Sequence, residues 1–272
     1  MGSLLKFSLN RLLGARIFDP AVEQMEQVFL MPEFTPAVVA SVSLINPQLS
    51  LRPNERSRLL VQQEANAMSQ SEYEALAPLF ARMPKPCRVL EVGPGFGRSA
   101  AYFSKKNVWD HDAAVHLYDT DGSQTRYNFK YYSRPPQWPD VSSFCGDLSL
   151  LRSFLSHNSV DNFEIFDAAQ LPLRELPGPY DLIYSFFSLG FHWSLRFYLE
   201  DILPLMNDTS ILVCTLHKNF EPFPELKNFS ARVFHCRRAR KKAPLLRLLA
   251  LSKSALPETG ISLAEAFPGC GL

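Results

Sequence analysis

Glu91-Val92-Gly93-Pro94-Gly95-Phe96-Gly97 joins a continuous apolar run, Cys87 to Val92, to a helical stretch that begins at Arg98. A short apolar run bounded by turn residues reads as a buried strand. The three glycines let the backbone reverse sharply and approach a ligand with no Cβ in the way. The pattern then repeats. Val115 to Tyr118, Phe163 to Phe166, Leu182 to Tyr184 and Ile211 to Thr215 are further short apolar runs, the last preceded by a helix over Leu195 to Met206, and Ala231 to Cys236 is a candidate sixth. Strands alternating with helices predict an α/β fold with a doubly wound, mainly parallel sheet. In such sheets ligands bind outside the carboxyl ends of the strands, so the residues just after each strand carry the functional reading.

Those residues are glycine, acidic or polar. The nicotinamide dinucleotide fingerprint asks for Gly or Ala five residues after its first glycine, and that place holds Arg98, so the spacing here is GxGxG. The second strand ends in Leu117-Tyr118-Asp119-Thr120-Asp121, which sets carboxylates just past the strand; Asp119 is the first choice for a ligand contact and Asp121 the second. Asp167-Ala168-Ala169-Gln170-Leu171-Pro172 follows the third strand. Tyr180 to Ser185 forms the fourth, with the aromatic segment Phe186 to Trp193 after it.

In that order, from Cys87 to Thr215, the segments resemble class I S-adenosylmethionine-dependent methyltransferases, which are Rossmann-like: an acid and GxGxG, an acid on the second strand, DAxxLP, then a rim segment. The resemblance implies S-adenosylmethionine as cofactor and Glu91, Gly93, Gly95, Gly97, Asp119, Asp121, Asp167, Ala168 and Ser185 as its binding residues. Asp119 would take the ribose hydroxyls and Asp167 the adenine amino group. Each residue also has a plainer reading, as a tight turn, a helix cap or a turn-holding acid.

Methyl transfer from a sulfonium is an in-line displacement, so the protein must align the acceptor and exclude water, and a neutral hydroxyl acceptor needs a base. His192, in Phe191-His192-Trp193-Ser194, is the best placed imidazole, with His217 the runner-up. The aromatic run Tyr184, Phe186, Phe187, Phe191, Trp193, Phe197 and Tyr198 supplies core, and two or three of its rings could wall a pocket. Where amine methylases of this family carry Asn/Asp-Pro-Pro-aromatic, this chain has Ser185-Phe186-Phe187-Ser188. No acid lies between Phe186 and Leu199 to hold a metal, and Asp110-His111-Asp112, before the second strand, reads as a solvated loop. These features favour O-methylation of a small-molecule hydroxyl, sugar or phenol-like, without a metal. Tyr180 to Trp193, with Tyr131-Tyr132, is also loosely similar to bacterial sugar O-methyltransferases. The alternatives are a lipid-like or quinone acceptor and a catalytically silent binding subunit.

The whole chain has 272 residues, 46 % apolar and 20 % charged, a composition that excludes a disordered or low-complexity polypeptide. Twenty-eight basic against 27 acidic residues leave +1, with no global field toward nucleic acid, so no nucleic-acid partner is expected. The five cysteines are scattered without a CxxC pair, which suits a reducing cytosol and a cytoplasmic protein. No apolar run is long enough to span a membrane; Leu182 to Trp193 is short and holds Ser185, Ser188 and His192.

Three segments follow. Residues 1–85 read as an N-terminal helical cap over the acceptor, punctuated by Pro20, Pro32, Pro36, Pro47 and Pro53, with an amphipathic Met1 to Phe18 and a polar helical stretch over Asn54 to Ala67. Residues 86–236 form the cofactor-binding core. Residues 237–272 are an extension, in which the cluster Arg237, Arg238, Arg240, Lys241 and Lys242 precedes the leucine-rich Leu245 to Leu251. That run reads as an amphipathic helix, docked on the domain or, through 237–251, touching an anionic lipid surface. The tail from Ser252 reads as loosely ordered, and the antiparallel C-terminal hairpin usual in the resembled family is not evident beyond Ala231 to Cys236.

Overall fold

A computed structural model describes residues 55–120, 147–191, 193–217, 219–236 and 246–268. The elements are α1 (Glu55–Phe80), β1 (Arg88–Val92), α2 (Arg98–Lys105), β2 (Ala114–Asp119), α3 (Leu148–His157), β3 (Phe163–Asp167), β4 (Tyr180–Ser185), α4 (Leu195–Ile202), β5 (Met206–Leu216), β6 (Ser230–Cys236), β7 (Leu246–Ser252), β8 (Ile261–Ser262) and α5 (Leu263–Ala266). The described strands form one sheet in the order β3-β2-β1-β4-β5-β7-β6-β8. β1 pairs in parallel with β2 and β4, β2 with β3, and β4 with β5. The fold is therefore the expected doubly wound, Rossmann-like α/β sheet, and its strand order reverses between β1 and β4. That reversal opens a crevice at the carboxyl ends of these two strands, directly over the glycine turn.

Strand alternation divides the core in two. Val89, Leu182, Tyr184 and Val213 face one side, where they pack with Leu76, Leu79 and Phe80 of α1, Tyr102 and Phe103 of α2, and Leu151 and Leu155 of α3. Leu90, Val92, Ile183 and Leu212 face the other, against Leu195, Leu199 and Ile202 of α4. α1 runs antiparallel to α2: Phe80 meets Phe103 at 5.1 Å between ring centroids, Tyr73 meets Tyr102 at 6.2 Å, and Glu72 reaches Arg98 at the start of α2. Because α2 starts at the glycine turn, the residues of α1 that precede Ser69 rise beyond the carboxyl edge of the sheet.

The C-terminal region departs from the sequence reading. The leucine-rich run expected as a helix over Leu245 to Leu251 instead enters β7, antiparallel to both β5 and β6. Leu248 and Ala250 enter one core cluster and Leu249 and Leu251 the other, all four fully buried. A run apolar on both faces is what an interior strand requires, since each leucine removed from water contributes about 1.5–3 kcal/mol. These leucines accordingly present no face to a lipid surface, while the basic cluster and the rest of 237–245 lie outside the described residues. β6 and β7 are the antiparallel hairpin that the sequence does not make evident. The tail is also structured as far as Pro268: β8 pairs with β6, and Ser262 and Glu265 form a reciprocal capping box on α5. Among the described residues no helix is long and apolar enough to cross a membrane.

Candidate functional site

The glycine turn is shaped by backbone conformations that side chains resist. Gly93, Gly95 and Gly97 have φ of 70°, 59° and 88°. A Cβ on Gly93 would stand 2.4 Å from both Cβ and Oγ of Ser188, so the segment after β4 lies directly on the turn. A Cβ on Gly97 would meet Leu151 Cδ1 at 2.8 Å, which explains why α2 can pack closely on α3.

Asp119 ends β2 beside this turn. Its Oδ2 accepts from the Gly95 N–H at 3.1 Å and its Oδ1 from the Thr120 N–H at 2.8 Å. Burial nevertheless pushes the carboxyl up to about 6, with nearby Asp167 acting in the same sense and the two amides opposing it. Asp167 stands opposite Asp119 in the β2–β3 register. Its oxygens accept from the Ala169 N–H at 2.9 Å and from Gln170 Nε2 at 3.2 Å, and the Ala168 N–H donates to the Asp119 carbonyl at 2.8 Å. Tyr118 Oη donates to the Leu171 carbonyl at 2.9 Å, folding the Asp167 to Pro172 turn back over β2. Asp119, Asp167, Ala168 and the glycines thus share one edge of the sheet.

Two other expected residues act within the protein interior. Glu91 is fully buried on the α1 side and accepts from Tyr184 Oη at 2.9 Å; desolvation raises its carboxyl to about 8, against the hydrogen bond from Tyr184 and the charge of Arg98. Ser185, also fully buried, donates to the Val92 carbonyl at 2.7 Å and accepts from the Leu189 N–H at 2.9 Å, stitching the ends of β1 and β4 to the rim. Both support the turn from behind.

Arg98, the residue that broke the dinucleotide fingerprint, has a partner the sequence did not reveal. Its guanidinium grips Glu72 of α1 at 2.6 and 2.9 Å and donates to Ser69 Oγ at 2.7 Å. Burial opposes its charge, but the carboxylate of Glu72 and the nearby Glu91 outweigh that and raise its pKa. The first turn of α2 is in this way locked to α1.

The rim between β4 and α4 is held at both ends. The Gly190 N–H donates to the Trp193 carbonyl at 2.7 Å and the His217 N–H to the Gly190 carbonyl at 2.9 Å. Phe191 packs edge-on to Phe187 at 5.2 Å and to His217 at 5.4 Å, and Phe187 adopts a left-handed φ of 67°. His217 Nδ1 accepts from the Asn219 N–H at 3.2 Å. In the neutral ring this leaves the proton on Nε2, so the other edge of the imidazole is a donor. His192 and Asp121 lie outside the described residues.

No family model matches the sequence, and no curated protein matches it. Solved structures do match. Precorrin-6y C5,15-methyltransferase from Geobacter metallireducens GS-15 is 12 % identical, with a TM-score of 0.43 and coverage of 67 % of this chain and 88 % of that one. An rRNA methylase from Streptococcus thermophilus is 11 % identical, with a TM-score of 0.44 and coverage of 68 % and 97 %. A spermidine synthase from Thermotoga maritima is 16 % identical, with a TM-score of 0.45 and coverage of 72 % and 62 %. Their named activities differ from one another, and none passes to this chain.

Proposed function

We propose that the chain is an S-adenosylmethionine-dependent methyltransferase acting on a hydroxyl of a small molecule. The observation that carries this reading is Asp119, set at the strand-order reversal against the Gly95 amide and still short of donors. A half-buried carboxyl pushed up to about 6 with two amides on it has lone pairs to spare, and a ribose diol offers two donors for them. Gly95, whose amide meets Asp119, brings no side chain of its own to that edge, and Asp167 stands one strand away for a second polar group of the nucleoside.

Bound there, S-adenosylmethionine supplies an electrophilic methyl group. The chain must hold the acceptor oxygen in line, keep water away and take up the hydroxyl proton. Phe187 and Phe191 supply apolar walls at the rim. His192 is assigned the base, its imidazole nitrogen receiving the proton. His217, held as an Nε2–H donor, suits orienting the acceptor oxygen better than deprotonating it.

Thermal unfolding with and without S-adenosylhomocysteine tests this proposal, in the wild type and in Asp119→Ala. Ligand at about 100 times its dissociation constant stabilises by about 2.7 kcal/mol. A shift in the wild type that the variant loses supports the cofactor and its anchor. No shift in either replaces the proposal with a silent binding subunit of the same fold.

A further inference from the structure

We propose that Asn66 is a specificity-determining residue for the methyl acceptor, its side-chain carbonyl oxygen receiving a hydrogen bond from a hydroxyl of the substrate. The inference rests on the methyltransferase reading above and extends it to what the acceptor must carry.

The placement follows from the antiparallel pairing of α1 with α2. Descending in number along α1, Phe80 meets Phe103, Tyr73 meets Tyr102, and Glu72 and Ser69 meet Arg98, the first residue after the glycine turn. Asn66 lies three residues further on the same helical face, a rise of about 4.5 Å past Ser69. It therefore stands beyond the carboxyl edge of the sheet, on the side of the glycine turn.

Asn66 is 8 % exposed, and its Oδ1 is buried without a hydrogen-bond partner. The next polar groups down this face are satisfied: Ser69 Oγ donates to the Ala65 carbonyl at 2.9 Å and accepts from Arg98, which also grips Glu72. The gap is thus local to the turn of α1 that lies past the carboxyl edge. A second orphan lies on the same side of the sheet. Glu91, Tyr184 and Val213 are in register on the α1 face, and Thr215, two residues past Val213 on β5, repeats that facing one step nearer the edge. Thr215 is fully buried, and its Oγ1 likewise has no partner.

A buried oxygen without a donor is costly, and two at one end of one layer point to a donor brought by a ligand. Asn66 Oδ1 can only accept. It suits a molecule that brings a hydroxyl donor.

The experiment compares the full-length wild type with Asn66→Leu and Asn66→Asp. Melting temperature is read with and without S-adenosylhomocysteine, and methyl transfer from labelled S-adenosylmethionine is read with methyl glucosides and catechol as probes. Asn66→Leu is expected to melt no lower than the wild type, to keep the S-adenosylhomocysteine shift, and to raise the acceptor KM about tenfold with little change in kcat. Asn66→Asp, which keeps an accepting oxygen, should stay within about threefold of the wild type. A marked fall in melting temperature for Asn66→Leu would make the carboxamide a fold-supporting group and overturn the inference, as would undiminished transfer by that variant. A wild type that binds S-adenosylhomocysteine but methylates none of the probes also overturns it. A wild type with no shift overturns the methyltransferase reading itself and the inference with it.

Discussion

The Gly95 N–H donates to Asp119 Oδ2 at 3.1 Å, tying the middle of the glycine turn to the end of β2. The contact spans the crevice edge and sets the carboxylate where a ligand entering over the turn must meet it. Burial holds this carboxyl at about 6, above its ordinary value of 3.8. A ligand whose hydroxyls donate to the ionised form binds best once the proton has left. S-adenosylhomocysteine affinity should therefore rise as pH increases through about 6 and be level above it. Calorimetric titration from pH 5 to 8 checks this, and Asp119→Asn should bind weakly with no such step. A flat wild-type profile would remove Asp119 from the site.

Gly93 and Ser188 form a second testable pair. Alanine at 93 would press its Cβ to 2.4 Å from the Ser188 side chain at a φ of 70° that already disfavours it. Gly93→Ala should lower stability by about 2–4 kcal/mol, combining left-handed strain and overpacking. Adding Ser188→Gly should restore the steric part and leave about 1–2 kcal/mol of strain. Denaturant unfolding of both single variants and the double variant measures the coupling, and strict additivity would refute the contact.

Glu91 offers a pH-dependent stability signature. Its folded carboxyl, near 8, lies above its ordinary value of 4.5, so the folded state holds a proton that the unfolded chain releases. For a raised acid, stability falls as pH rises between those two values and is level above the upper one. Glu91→Gln mimics the protonated form and keeps an acceptor for Tyr184 Oη. It should flatten that decline and stabilise the protein at pH 8.5 by a few kcal/mol, because each pH step of one between the two values costs the wild type about 1.4 kcal/mol. Thermal unfolding from pH 5 to 9 reads both effects. A variant less stable than the wild type at pH 8.5 would show that Glu91 works as a charge.

The Arg98–Glu72 pair predicts an asymmetry. Removing one partner strands a buried charge, so Glu72→Gln or Arg98→Met should each cost about 3–5 kcal/mol. The double replacement Glu72→Leu with Arg98→Met should recover much of that loss, because apolar groups fill the space without a desolvation penalty. Urea denaturation of the four proteins tests it, and equal losses in single and double variants would contradict the assignment.

Much of the fold was legible because β1 to β5 carry local signals: short apolar runs and glycines where the chain must turn left-handed. β7 was not, since Leu248 to Leu251 is apolar on both faces, and periodicity alone cannot tell a short interior strand from a buried helix. Asp119 and Asp167 could be read from their places after strands. Glu91 was harder: it alternates with Leu90 and Val92, so strand geometry sends its carboxyl to the α1 side, and only the partner Tyr184 explains the acid there. The Arg98–Glu72 lock joins residues 26 apart, and the one visible signal was an arginine where a helix packing tightly would carry a small residue.

His192 carries the last prediction. Its neighbours Phe191 and Trp193 both donate backbone N–H groups to the Ser188 carbonyl, at 3.2 and 3.0 Å, and Ser188 itself lies on Gly93. Ser188 thus couples the rim to the glycine turn, alongside the Ser185 bridge between Val92 and Leu189. A base here should matter for turnover and little for cofactor binding, so His192→Ala should lower kcat at least tenfold, within the 10² to 10⁴-fold usual for general bases, while leaving the S-adenosylhomocysteine shift intact. His217→Ala should instead raise the acceptor KM more than it lowers kcat, because a neutral ring whose Nδ1 accepts already carries its proton on Nε2. Added imidazole should partly restore His192→Ala and leave His217→Ala unchanged. The opposite pattern of rescue would exchange the two roles, and full activity in His192→Ala would leave the reaction without this base.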